Sequence, residues 1–378
     1  MKIGFLTSSR SDYSLYKPLL ELMRNDNYFE VEIIVFGANL SRKYGLEINN
    51  IILDNYGVIH KVVTNPDGDT PLDISKSMAL TVRKFSKFWF ENDFHLLIAL
   101  GDRYEMFSSI ISSIPFNIKI AHISGGEVTT GAFDNIFRNC ITNSSHIHFT
   151  STRDYKNRVI QLINSDKNVF NVGALGIDNL SRLKLYSVKE FYSVFNVNLK
   201  LPTILVTFHP ETVEYKNNEF YVKELISALS SIEGYQIIIT MPNADTNGIL
   251  IRNYLLDFIK NKSNVFGFES LGTKGYLSAI KLCNMMLGNS SSGFVEAYFF
   301  KRYVINIGER QKGRIHTENM INIPIKKNEI INAIDNHKNY VNKIVSNKDF
   351  YGKGNAAKKI IEKIKKIKKH NSNFFYGD

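Results

Sequence analysis

Cysteine is nearly absent: Cys140 and Cys283 are the only two in 378 residues, far apart and with no metal-type spacing beside either. A disulfide framework and a structural zinc site are thereby disfavoured, and both thiols read as core residues. Long apolar runs are missing as well, since none reaches the roughly 18 residues that a bilayer span requires. The start, Met1-Lys2-Ile3-Gly4-Phe5, enters a strand pattern without the basic region and cleavage site of a leader. A soluble, cytoplasmic protein is the expectation. No Walker lysine loop, GxGxxG fingerprint or nucleophile elbow is present, so ATP hydrolysis and hydride transfer lose their usual signatures. Internal repeats are also lacking. What is present is the material for a core: 44% hydrophobic and 22% charged residues are far from the composition of disorder. At roughly 100–200 residues per domain the length accommodates two domains.

From residue 2 onward short apolar runs alternate with longer segments of helical period. Residues 2–7, 31–36, 58–63, 96–99, 118–123, 147–150 and 169–172 read as strands; 15–23, 78–90, 104–114, 134–144 and 154–163 read as helices. Strands apolar throughout are buried on both faces, and their alternation with helices implies a parallel sheet covered on both sides. A second series follows the connecting stretch 184–202. It has strands at 203–208, 235–240, 265–268, 285–287 and 303–307, with helices near 220–231, 247–259, 275–283 and 293–299. The expected fold is α/β, two doubly wound Rossmann-like domains with the ligand cleft between them. The domains are read as residues 1–180 and 181–352, followed by a lysine-rich C-terminal helix and tail at 353–378.

Charge is lopsided, 47 basic against 36 acidic residues for a net +11. More than half of the excess lies between Lys358 and Lys369, where seven lysines face one Glu362. Ala357, Ile360, Ile361, Ile364 and Ile367 share one helical face there. A basic amphipathic helix on a membrane or nucleic acid is one reading. A terminal helix packed on the body with a solvated lysine face is the preferred one. Aromatic interleaving and a helix-turn-helix are both lacking, so neither nucleic acid nor membrane is expected as a partner.

Ligands of open α/β sheets sit beyond the carboxyl ends of the strands, so polar residues there are the candidates. After the first strand comes Ser8-Ser9-Arg10-Ser11-Asp12, where Arg10 suits a phosphate and Ser11 or Asp12 suits a helix cap. After residue 100 comes Gly101-Asp102-Arg103-Tyr104-Glu105, with Asp102 either a base or acid at the strand tip or a cap for the next helix. Glu127 follows Gly125-Gly126, and Asp134 opens a helix with Arg138 one turn along. Asp102, Glu127 and Asp134 together form a candidate catalytic cluster, since grouped carboxylates can divide acid and base roles by environment. In the second half, Gly288-Asn289-Ser290-Ser291-Ser292-Gly293 reads as a phosphate loop opening a helix, with Glu296 one turn inside it as an acceptor for ribose hydroxyls. A serine-capped turn is the plainer alternative. His209 follows the strand 203–208 and is placed to face the first domain's carboxylates, while Arg310, Lys312 and Arg314 offer cations to phosphate or to the cleft rim. His122, His146 and His148 lie in or near strands and read as core residues, as does Trp89.

Taken together, seven ordered motifs resemble the UDP-N-acetylglucosamine 2-epimerase family, in particular the hydrolysing branch of bacterial sialic acid synthesis. They are 101–105 (GDRYE), 122–127 (HISGGE), 150–152 (TST), 208–212 (FHPET), 243–246 (NADT), 288–293 (GNSSSG) and 310–314 (RQKGR). The resemblance runs from about residue 2 to residue 370. It implies a GT-B glycosyltransferase-like fold and the reaction UDP-N-acetylglucosamine plus water to N-acetylmannosamine and UDP. No metal and no cofactor is implied, and relatives commonly form homodimers or homotetramers. By motif position Asp102, Glu127 and Asp134 match the family's catalytic carboxylates. His209 is counted with them as a catalytic candidate that also meets the leaving diphosphate, and Arg10, Arg103, Arg138, the 290–293 loop, Glu296 and Arg314 are the expected partners of the nucleotide sugar.

The chain departs from the family in several places. Ser8 stands where relatives usually have glycine, Asn39 where many have histidine, and Asn139 and Asn143 where the hydrolysing branch usually has histidine and lysine. The carboxylates remain, so the activity is expected to stand, and the altered polar residues bear on which sugar, or which group at its 6-position, is accepted. The nearest alternative is a hydrolysing 2-epimerase of UDP- or GDP-linked 2,4-diacetamido-2,4,6-trideoxy sugars, the legionaminic acid route. A GT-B glycosyltransferase and a noncatalytic nucleotide-sugar binder are the remaining rivals.

Overall fold

The computed structural model describes residues 1–42, 46–64, 68–242, 245–260, 262–337, 339 and 350–370, with side chains as far as 367. Asn243 and Ala244, half of one quoted motif, lie outside the described residues. The chain divides into two compact units, residues 1–127, 134–182 and 349–378 in unit 1 and residues 128–133 and 183–348 in unit 2.

Unit 1 carries β1 (Lys2–Thr7), β2 (Glu30–Phe36), β3 (Val58–Val62), β4 (Leu96–Leu100), β5 (Ile120–Ile123), β6 (Ile147–Thr150) and β7 (Val169–Asn171). They form one seven-stranded sheet in the order β3-β2-β1-β4-β5-β6-β7, every pairing parallel. The apolar runs explain the burial: Ile3, Phe5, Ile33 and Val35 pack with Tyr16 and Leu20 of one helix layer, while Leu6, Ile34 and Phe36 pack with Phe85, Trp89 and Met106 of the other. Both faces are therefore covered, as a parallel sheet requires.

The C-terminal helix, Ala356–His370, belongs to this unit. Its amphipathic pattern acts through packing, with Ile360 and Ile364 fully buried in the unit 1 core; each such side chain contributes roughly 1.5–3 kcal/mol. The Asp178 carboxylate accepts from the Ala356 and Ala357 amides at 3.0 and 2.8 Å, capping the helix start. Lys365 pairs with Asp26, and Lys363 lies over the Phe170 ring. Part of the lysine excess is thus engaged with the body of the unit. Among the described residues no helix is long and apolar enough to cross a membrane.

Unit 2 carries β8 (Thr203–Thr207), β9 (Gln236–Thr240), β10 (Val265–Phe268), β11 (Met285–Gly288), β12 (Tyr303–Ile307) and β13 (Met320–Ile323). The sheet order is β10-β9-β8-β11-β12-β13, again parallel throughout. Its core includes Ile204, Val206, Ile237, Ile239, Leu287 and Ile305. Residues 128–133 also count here: the Thr130 amide donates to the Lys312 carbonyl at 2.8 Å and the Phe133 amide to Thr212 Oγ1 at 3.1 Å.

Several elements exceed the sequence expectation. The connecting stretch 184–202 contains the helix Val188–Phe195, opened by a capping box between Ser187 and Glu190. Helix Leu175–Arg182 and strand β13 were also not anticipated. In the other direction, the helix expected at 293–299 is a 3-10 turn, Ser291–Gly293, followed by the four-residue helix Glu296–Phe299. Glu296 opens that helix and does not sit one turn inside it.

In each sheet the strand order reverses once, between β1 and β4 in unit 1 and between β8 and β11 in unit 2. Such reversals splay the following loops to opposite faces and leave a crevice at the carboxyl ends. The loops concerned carry Ser8 to Asp12 and Gly101 to Arg103 in the first sheet, and His209 to Glu211 and Gly288 to Gly293 in the second. The candidate residues therefore stand where a doubly wound sheet binds ligands.

Candidate active site

In unit 1 the arrangement is organised by Arg138. It is 1% exposed, pairs with Asp102 and donates from Nη1 to the Glu127 carbonyl at 2.8 Å. The helix Asp134–Asn143 supplies it, placing Asp134 about one turn before the guanidinium. A buried cation needs partners, and here they are a carboxylate and a carbonyl from two other strand tips. Glu127 and Asp134 are each 8% exposed, and Ser151 Oγ donates to Glu127 Oε1 at 3.3 Å. Gly126, at φ +80°, permits the turn before Glu127; a Cβ there would lie 2.4 Å from the Tyr155 carbonyl oxygen. Asp102 is not a helix cap, because the helix Tyr104–Ser113 is capped at Arg103 without a side-chain bond.

Arg10 and Arg103 belong to the same unit. The cap of the helix Arg10–Arg24 is Ser9, in a capping box with Asp12, so Asp12 takes the structural role, and the Arg10 charge acts on Glu47. Asp12 also accepts from Thr7 Oγ1 at 2.7 Å, and burial raises its carboxyl while the Arg103 charge pulls it back. Arg103 forks onto the fully buried Glu105 at 3.1 and 3.0 Å. Asn39, one of the departures from the family pattern, is a buried amide donating to Thr7 Oγ1 at 2.9 Å.

His122 underlies the turn that carries Asp102. Its Nε2 donates to the Gly101 carbonyl at 2.8 Å and its Nδ1 faces Thr142 Oγ1 at 3.1 Å. Burial pushes the imidazole down to about 4, and pushes His148 down to about 3. Both are neutral structural groups at ordinary pH. Cys283 is buried, but Cys140 is partly exposed and is not the core thiol expected of it.

In unit 2 the serine loop is held from several sides. Ser290 Oγ contacts Ser292 Oγ at 2.9 Å, and Tyr276 Oη contacts Ser292 Oγ at 2.7 Å. Gly288, at φ +141°, lets the end of β11 pass β8; a Cβ would lie 1.9 Å from the Thr207 carbonyl oxygen. The Asn289 amide brackets the His209 peptide, accepting from its N–H at 2.7 Å and donating to its carbonyl at 2.8 Å. Of the three cations at 310–314, Arg314 donates from Nε to Gln311 Oε1 at 2.6 Å and lies over the Phe294 ring, next to the loop in sequence. Arg310 is paired with the buried Asp245 at 3.1 Å, and Lys312 with Glu309 at 2.7 Å on the surface. Among the described residues no three His, Cys, Asp or Glu side chains group to hold a metal.

Unit 1 thus holds a carboxylate on a buried arginine with two more carboxylates close in sequence to its contacts, and unit 2 holds hydroxyls and a histidine at a sheet reversal. Residues 21–365 match the family model described as UDP-N-acetylglucosamine 2-epimerase. The chain belongs to this family. It is 35% identical over 325 residues, covering 86% of this chain and 84% of the relative, to the GDP/UDP-N,N'-diacetylbacillosamine 2-epimerase (hydrolyzing) of Campylobacter jejuni. It is 34% identical to the polysialic acid biosynthesis protein P7 of Escherichia coli, covering 99% of this chain and 97% of that protein. The fold matches the crystal structure of the Neisseria meningitidis UDP-GlcNAc 2-epimerase bound to UDP-GlcNAc, with a TM-score of 0.80 at 16% identity over 97% of this chain and all of that one. Two parallel-sheet α/β domains of GT-B-like type are therefore the architecture, and the branch is the hydrolysing one that the motifs resemble.

Membership of the family leaves unassigned several residues that the geometry brings out. Asn289, Gln311 and Glu211 sit inside quoted motifs but carried no signal of their own, because an amide or a lone carboxylate in a loop has many ordinary uses. Glu211 is 3% exposed, and burial pushes its carboxyl up to about 7 against the pull of the Arg310 amide and the Asn289 side chain. It also lines a cavity of about 370 Å³ with Tyr221, Gly308 and Lys326. A carboxyl whose folded pKa lies above its unfolded value favours the fold at low pH and loses that contribution as pH rises through about 7. Glu211→Gln removes this loss. Its stability relative to the parent chain is expected to improve by roughly 2–3 kcal/mol between pH 5 and pH 8. Urea denaturation at both pH values measures it, and an unchanged difference would contradict an ionising Glu211.

Proposed function

We propose that the chain is a hydrolysing 2-epimerase of a UDP-linked 2-acetamido sugar, converting UDP-N-acetylglucosamine and water to N-acetylmannosamine and UDP. The observation that carries this reading is that the buried Arg138 holds the Asp102 carboxylate and the Glu127 backbone carbonyl, with Asp134 one turn before it. The C2 proton of the sugar is not acidic, so its removal needs a carboxylate in place as positive charge develops at C1 and the diphosphate departs. Glu127 or Asp134 takes that proton, and the C1–O bond breaks to release UDP and leave a glycal. Water then adds across the double bond, hydroxyl to C1 and a proton to C2 from the opposite face. Asp102, whose charge is engaged by Arg138, stabilises the cationic character at C1 or orients the water. His209, Arg314 and the serine loop of unit 2 receive the diphosphate, and Glu296 the ribose.

A second reading differs only in the sugar. The 35% identity to a diacetylbacillosamine 2-epimerase supports a 2,4-diacetamido-trideoxy donor, while the relative named for polysialic acid biosynthesis supports the N-acetylglucosamine donor. Incubation with each donor in deuterated water, followed by proton NMR, distinguishes them. Free N-acetylmannosamine deuterated at C2 is the expected product of the first donor. UDP-linked mannosamine would overturn hydrolysis, and turnover of the diacetamido donor alone would reassign the sugar.

A further inference from the structure

We infer that Asn289 and Gln311 are positioning residues that tie His209 and Arg314 into a single nucleotide-binding arrangement; this rests on the reading of unit 2 as the UDP site. The two anchored residues come from different strand tips, His209 after β8 and Arg314 beyond β12, while Asn289 follows β11. Asn289 is fully buried and spends both ends of its amide on the His209 peptide, at 2.7 Å to the N–H and 2.8 Å to the carbonyl. Its Nδ2 also faces Glu211 Oε1 at 3.4 Å, and its own amide donates to the Thr207 carbonyl at 3.1 Å.

The connection continues through the Asn289 carbonyl, which accepts from Gln311 Nε2 at 2.8 Å. Gln311 is 3% exposed, and its Oε1 accepts from Arg314 Nε at 2.6 Å. A planar guanidinium held at Nε has its plane set, which fixes the directions in which it can meet a phosphate. A side-chain amide offers a donor and an acceptor in one plane, and both Asn289, toward the His209 peptide, and Gln311, between Asn289 and Arg314, use both. Aspartate at 289 would set an oxygen against the His209 carbonyl. Glutamate at 311 would keep the acceptor for Arg314 and lose the donor to Asn289. The chain thus has a graded set of substitutions.

The test is UDP binding by calorimetry together with steady-state kinetics. Gln311→Met severs both bonds at similar length and is expected to weaken UDP binding about tenfold, to raise KM in parallel and to leave kcat within about threefold. Gln311→Glu, which preserves the Arg314 arm, is expected to bind within about threefold of the parent chain. Should Gln311→Met fail to fold, Asn289→Asp carries the test, with the same expected loss of about tenfold or more. Variants that bind UDP as the parent does, within about twofold, overturn the inference while leaving the functional reading in place. A parent chain that binds no UDP overturns that reading and the inference with it.

Discussion

Replacing Arg138 with methionine is expected to destabilise unit 1 by about 2–4 kcal/mol and to reduce kcat by about two orders of magnitude or more. Breaking a fully buried ion pair costs about 3–5 kcal/mol, because the surviving charge is left without a partner in a poor solvent. Asp102 is 25% exposed, so water recovers part of the loss and the lower end of the range applies. The Glu127 carbonyl also loses its donor, which no nearby water-free rearrangement replaces cheaply. The kinetic effect is larger than the thermodynamic one for a geometric reason. One guanidinium holds the Asp102 carboxylate and the backbone of Glu127, and small misplacements of reacting groups cost steeply. Arg138→Lys retains the charge but not the fork, so it is expected to regain stability more than turnover. Urea denaturation and initial rates together decide the matter; a methionine variant within about 1 kcal/mol and threefold of the parent would remove Arg138 as the organiser.

Turning the three carboxylates singly into amides, Asp102→Asn, Glu127→Gln and Asp134→Asn, is expected to lower kcat by about 10²–10⁴ while UDP affinity changes by less than about threefold. The shapes are retained and the candidate diphosphate ligands are elsewhere, so binding and chemistry separate. The variants also divide the roles. Loss of the residue that takes the C2 proton abolishes deuterium entry at C2 from solvent, whereas loss of a charge-stabilising group slows release of UDP and deuterium entry together. Near-parental turnover in all three would exclude the cluster from the mechanism.

These expectations rest on residues that were legible in unequal measure. Strands such as β1, β4 and β8 were plain in the sequence, because burial on both faces demands an unbroken apolar run. Strand β13 and the helices Leu175–Arg182 and Val188–Phe195 were not: the strand has 4 residues, and the helices, though amphipathic, have 8 each, too few turns for the period to stand out. The helix expected after the serine loop failed because a 3-10 turn interrupts it, with Ser290 accepting from the Ser292 amide at 3.4 Å. Asp102 and the cap candidates show the same limit at single residues. Asp12 and Asp102 both stand close to a helix start, yet Asp12, at the third helical position, completes a capping box while Asp102 pairs with an arginine.

The amino-acid sequence by itself determined two α/β units, the polar residues standing at each strand tip and the family to which their spacing belongs. Those are local properties, set by periodicity and by the order of motifs along the chain. Which tips become neighbours was decided only in three dimensions, by the strand orders that put β1 beside β4 and β8 beside β11. The same folding step assigned partners among like residues: Arg138 to Asp102, Arg310 to Asp245, Arg314 to Gln311. A buried charge must find a partner from whatever the sheet brings within reach, and that set is a property of topology.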